Sequence, residues 1–160
     1  MTTSNANTRV AIRSATSADR AFLSRLADRL ADFDRPVGRS HAEIADGDRR
    51  ALFEALDNTR PGTELFIAEL GGTPAGCLLM WTLEDYFSRQ WHAHVSVIAV
   101  TKEAEGRGVG RALMEYAEHW ARQRGHRSIT LSVFEGNQRA QALYTRVGYQ
   151  TEMRRMVKLL

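Results

Sequence analysis

Residues 97–113, reading Val-Ile-Ala-Val-Thr-Lys-Glu-Ala-Glu-Gly-Arg-Gly-Val-Gly-Arg-Ala-Leu, constrain the fold more than any other stretch. An apolar run meets a short polar turn and then glycines at 106, 108 and 110. Apolar residues at helical spacing follow: Val109, Leu113, Tyr116, Ala117 and Trp120. A strand, a glycine loop and a helix in that order make an anion site. Glycine permits positive φ and close backbone approach, and the first helical turn presents unpaired N–H groups at the positive end of its dipole. Arg107 and Arg111 add two guanidiniums. Two nucleotide patterns fail. G-x-G-x-x-G is broken by Arg111, three residues after Gly108, with no acidic ribose ligand in a second βα unit. G-x-x-x-x-G-K-[ST] fails because no Lys follows these glycines.

The rest of the chain sets the frame. Its 160 residues suffice for one domain, expected over 9–160, after a flexible N-terminus at 1–8. A composition 43% hydrophobic and 26% charged is that of a globular protein. The single Cys77 excludes an internal disulfide, and no Cys-His spacing suits zinc, so no metal is expected. Residues 1–8 lack a basic start and apolar run, and no run reaches membrane-spanning length, so the expectation is a cytoplasmic protein with no membrane partner. A net charge of +3, with arginines scattered rather than striped, suits an anionic ligand and argues against nucleic acid.

Periodicity and breakers give the elements. Strands are predicted over 9–15, 64–70, 73–83, 91–100, 128–134 and 149–160, the second and third joined at Gly71-Gly72. Helices are predicted after a Thr16 or Ser17 cap, through Leu23, Leu26 and Leu30, and around 48–57, 108–125 and 137–147. The order βααβββαβαβ describes an α/β sandwich, a mixed and mostly antiparallel sheet with helices on both faces. Alternation along 91–100 puts Val95, Val97 and Ala99 on one face and His92, His94, Ser96, Ile98 and Val100 on the other.

The loop Glu105-Gly106-Arg107-Gly108-Val109-Gly110 resembles the pyrophosphate loop of the GNAT superfamily of acyl-CoA-dependent N-acetyltransferases, [Q/R]-x-x-G-x-[G/A], with Glu105 departing at the first position. Farther on, Asn137, Ala140, Leu143, Tyr144, Gly148 and Tyr149 match that superfamily's later pattern N-x-x-A-x-x-[L/F]-Y-x-x-x-G-[F/Y]. The resemblance implies the same order of elements and acetyl-CoA as co-substrate. It implies pantetheine contacts from the backbone around Ile98, Ala99 and Val100, and a pyrophosphate held by the segment from Glu105 through Gly106, Arg107, Gly108, Val109 and Gly110 to Arg111. It further implies cofactor contact from Asn137 and Tyr144, with Tyr144 also the acid for the leaving thiolate. The acceptor pocket would lie along 32–40 and 84–90, where Asp32, Asp34, Glu84 and Asp85 favour a cationic amine.

An amine attacks a thioester only when neutral, and an alkylamine is mostly protonated at neutral pH, so a base is useful. His94 occupies the position where some members of the superfamily place a Glu, and its ordinary pKa suits the task; His92 and Glu84 are second choices. A backbone N–H near Ile98 would meet the developing oxyanion. The expected function is transfer of acetyl from acetyl-CoA to a primary amine in a ternary complex. An acyl-CoA-binding sensor and a nucleotide-binding regulatory domain remain alternatives. Met153, Met156, Val157 and Leu159 would allow a homodimer through the last strand.

Overall fold

The computed structural model describes residues 9–160; the expectation for 1–8 lies outside them. Five strands, β1 (Val10–Ser14), β2 (Thr63–Leu70), β3 (Thr73–Glu84), β4 (Trp91–Val100) and β5 (Ile129–Leu131), form one sheet in sequence order. β1 to β4 pair antiparallel, and β4 and β5 pair parallel. Helices α1 (Arg20–Arg29) and α2 (His41–Leu56) cover one face, and α3 (Val109–Gln123) and α4 (Gln138–Arg146) the other. This is the expected α/β sandwich.

Each face carries its own core. Leu23, Leu26, Leu52, Ile67, Cys77, Leu79, Val97 and Ala99 pack beneath α1 and α2. Leu78, Met80, Val95, Val109, Leu113, Met114 and Trp120 pack beneath α3, with Tyr144 of α4. β2 and β3 turn at Gly71 and Gly72, both at positive φ as a two-residue primed turn requires. α3 approaches the sheet at Gly76, where an added Cβ would lie 3.3 Å from Leu113 and Val109 of α3 and 2.6 Å from the Ala99 carbonyl oxygen of β4.

Three predicted elements differ. α2 begins at His41 rather than near 48, because Ser40 and Glu43 form a reciprocal capping box: Glu43 N–H donates to Ser40 Oγ (3.1 Å) and Ser40 N–H to Glu43 Oε2 (2.7 Å). The final strand over 149–160 is absent; these residues have no regular structure, and 150–160 are exposed throughout. β5 is also shorter than the predicted 128–134. After Leu131 the chain bends toward the α1–α2 connection, stacking Phe134 on Phe33 at 5.3 Å, so little straight edge is left for a tail to pair with. The tail instead brings Leu159 against Gly38 of that connection.

Candidate active site

The pairing of β4 creates the site. On its β3 side β4 is paired from Trp91 to Val100; on its β5 side the ladder stops at Val95↔Leu131. Leu79 faces Val97 and Met80 faces Val95, so Ser96 is an extra residue, a β-bulge. It reverses the parity of the strand. Ala93 N–H donates toward β5, to Ser128 O at 3.2 Å, whereas Thr101 N–H donates toward β3, to Ala75 O at 2.8 Å. Two-residue alternation back from Thr101 assigns Ala99 and Val97 to the β3 ladder. The N–H and C=O of Ile98 and Val100 therefore turn toward the open side.

The same bulge corrects the faces read from simple alternation. Val95 shares the α3 side with Ile98 and Val100, while Val97 and Ala99 lie beneath α1 and α2. His94 pairs with Trp81, which packs against the α1–α2 core, so it belongs to that side too.

The glycine loop lies at the open end of β4. Gly106 (φ 71°) and Gly108 (φ 81°) are left-handed, and a Cβ on either would meet nothing within 4 Å. Gly108 caps α3, and Ala112 N–H is the first to bond within the turn, to Gly108 O at 3.0 Å. The N–H groups of Val109, Gly110 and Arg111 are thus left for a ligand. Open backbone, orphan donors and positive φ fit a pyrophosphate. At Gly110 an added Cβ would sit 3.3 Å from Leu143 and 3.7 Å from Val100, so loop, β4 and α4 converge there.

Glu105, the departure in the loop, does not stand alone. Its Oε1 holds both Arg29, the last residue of α1, and Arg139 of α4. Arg29 also donates from Nε to Val100 O at 2.9 Å. Arg107 is exposed, and Arg111 pairs with Glu115 at 2.8 Å.

The remaining predicted residues surround the slot. Asn137 caps α4, accepting from Ala140 N–H at 3.2 Å, which leaves its amide NH2 free of that bond. Tyr144 is buried, and burial pushes its phenol up to about 12, so it stays protonated near neutrality. His94 is half-buried, with Nδ1 2.8 Å from Thr130 Oγ1 on β5. Desolvation, and secondarily His92, lower its pKa, so the imidazole is neutral at pH 7. His92 keeps a buried Nδ1 without a partner, and Glu84 is tied to Arg89 at 2.7 Å. Asp48 of α2, on the Cys77 side of the sheet, is desolvated to a pKa of about 6.

A cleft of about 390 Å³ opens between Asp32, Phe33 and Asp34 of the α1–α2 connection and Gly136, Asn137 and Arg139 of the α4 entry. Asp34 O lies where a Cβ of Gly136 would be, so only glycine fits. Thr130, Arg29 and Arg139 join the predicted residues here. Their partners are 36, 76 and 34 positions away, and no local pattern marks them.

Comparison with known proteins supplies the family. Residues 26–149 match the model of the acetyltransferase (GNAT) family. An uncharacterized N-acetyltransferase of Methanocaldococcus jannaschii is 32% identical over 88 residues, 53% of this chain; the match spans only 38% of that relative's length. A GCN5-related N-acetyltransferase from Ralstonia eutropha superposes with a TM-score of 0.71 at 21% identity, covering 94% of this chain and 99% of the other. The aminoglycoside N-acetyltransferase AAC(6′)-Iy in complex with CoA gives 0.70 at 17% identity, with 95% of each chain covered.

Proposed function

The chain belongs to the acetyltransferase (GNAT) family, and from that premise we propose that it transfers acetyl from acetyl-CoA to a cationic primary amine, by direct attack in a ternary complex. The observation that carries this reading is the open edge of β4 beside the glycine loop. The N–H and C=O of Ile98 and the N–H of Val100 face away from the β3 ladder, next to the free N–H groups of α3, while Val100 O is held by Arg29.

In this reading Gly106, Arg107, Gly108, Val109, Gly110 and Arg111 hold the pyrophosphate, Ile98, Ala99 and Val100 line the pantetheine, and the Asn137 amide reaches the same arm. Acetyl-CoA, when bound, supplies a thioester carbonyl open to attack. His94, neutral and anchored by Thr130, takes a proton from the entering ammonium, directly or through a water. Ile98 N–H meets charge developing on the carbonyl oxygen. Tyr144 donates a hydrogen bond to the departing sulfur; with its pKa near 12 against about 8.5 for a thiol, it stabilises the thiolate rather than surrendering its proton outright. Asp32 and Asp34 face the cleft where a cationic acceptor would enter.

A negative charge at Glu105, beside a pyrophosphate, would weaken cofactor binding and favour a non-catalytic binding module. Its pairing with Arg29 and Arg139 offsets most of that charge, which supports the catalytic reading. Exposed Met153, Met156, Val157 and Leu159 keep a homodimer within the proposal. Among the described residues no helix is long and apolar enough to cross a membrane, and the proposal places the reaction in the cytoplasm.

The test is a thermal melt with acetyl-CoA, CoA, ATP or NAD at equal concentration. A ligand selective for the folded state stabilises by about 2.7 kcal/mol at a hundredfold excess over Kd. Shifts with both CoA species and little with ATP or NAD are expected, followed by thiol release with cationic amines. Equal shifts with ATP or NAD, or none with CoA, would overturn the reading.

A further inference from the structure

Two arginines share the Glu105 carboxylate, but they are held differently. Arg29 is 28% exposed and anchored a second time through Nε on Val100 O, so it fixes Glu105 to the end of β4. Arg139 is 67% exposed and has no other hydrogen bond or ion pair among the described residues. It projects from the first turn of α4, across from the loop whose N–H groups await an anion. A solvated ion pair of this kind contributes at most about 1 kcal/mol and exchanges partners readily. A phosphate takes the same bidentate fork as a carboxylate, and a pyrophosphate brings more negative charge than one carboxylate.

We infer that Arg139 is a further ligand for the phosphates of the donor, held in reserve by Glu105. In the free protein Glu105 keeps this side chain at the mouth of the slot; when the phosphate-bearing half of the donor arrives, Arg139 exchanges the carboxylate for a phosphate while Arg29 continues to neutralise Glu105. The acidic residue thus lowers affinity somewhat in return for a pre-positioned cation. A donor without phosphates has nothing to offer Arg139 and leaves the pair intact. This inference rests on the acetyl-CoA reading above.

Calorimetric titration of CoA into the wild type and variants tests it, with phosphate-free pantetheine measured by competition. Glu105→Gln is expected to lower the Kd for CoA about twofold to fivefold, the range set by a solvated ion pair, and to leave pantetheine unchanged. Arg139→Ala raises the Kd for CoA by a similar factor, and Arg139→Lys restores most of it, which a purely structural role would not do. Because the wild type must first break the Glu105 pair, Arg139→Ala costs more in the Glu105→Gln background than alone. All these differences shrink as salt is raised. Weaker CoA binding in Glu105→Gln would make Glu105 a scaffold and overturn the exchange. An unchanged Kd in Arg139→Ala, or an equal effect on pantetheine, would overturn the phosphate contact. A wild type that binds CoA while either result holds leaves the acetyl-CoA reading standing; one that does not bind CoA removes both.

Discussion

The two sides of β4 are built to opposite ends. Toward β3, nine residue pairs from Glu84↔Trp91 to Gly76↔Val100 close the seam; toward β5, pairing ends after three. The closed side is apolar and fully packed, with Cys77, Leu78 and Leu79 at zero exposure. The open side leaves main-chain groups of Ile98 and Val100 beside half-buried side chains. One strand thus supplies the core with side chains and the site with backbone, and the site exists because the sheet stops pairing.

The largest effect that would sharpen this contrast is chemical. Tyr144→Phe is expected to lower kcat about a hundredfold, the low end of what a lost hydrogen bond to a developing charge costs, while the Kd for acetyl-CoA stays within about twofold of wild type. Stopped-flow turnover and calorimetry check it, and equal loss of both would assign Tyr144 to binding. On the closed side the expected response is mechanical. Gly76→Ala would put a Cβ 2.6 Å from Ala99 O, costing about 1–3 kcal/mol of stability in urea unfolding with little change in the CoA affinity of the folded fraction. A Gly76→Ala protein as stable as wild type would mean the seam is looser than its pairing implies.

His94 tests the boundary between the sides. Its folded pKa is depressed below the ordinary 6.5, so kcat/KM should rise with pH along a limb lying below that value and flatten above it. His94→Ala should remove the limb with about a tenfold loss, below the hundredfold or more usual for general acid–base catalysis. The same depression makes the unfolded chain bind the proton first, so stability falls as pH drops below about 6.5, and the variant should lose that slope. The smallest expected effect is at its anchor. Thr130→Val removes one hydrogen bond worth about 1 kcal/mol, roughly a fivefold loss in kcat if the imidazole orientation matters; no change would leave Thr130 as sheet packing alone.

Much of this was legible in the sequence. The glycine loop, the Gly71-Gly72 hairpin and the bounds of β4 follow from local chemistry, which needs only neighbours along the chain. The α2 start was also written locally, in Ser40 and Glu43, but is visible only when the capping pattern is weighed against the weaker periodicity of 41–47. The bulge at Ser96 was not legible, because a serine in an otherwise regular alternation does not say which residue is extra; the register with β3 decides it. Nor were the partners of Glu105 and His94, since Arg29, Arg139 and Thr130 come close only after the sheet and helices have assembled. The last strand failed for a related reason: residues 149–160 resemble a strand, but a strand needs an edge, and β5 ends at Leu131.

The parity reversal at Ser96 has a consequence for isotope labelling. Amides of Val97 and Ala99 lie inside a closed ladder and should exchange with deuterated solvent only when the seam opens, whereas those of Ile98 and Val100, one residue away on the same strand, should exchange early. A ligand that pairs with the free edge would slow the second set and leave the first untouched. Successive residues would then report separately on folding and on occupancy.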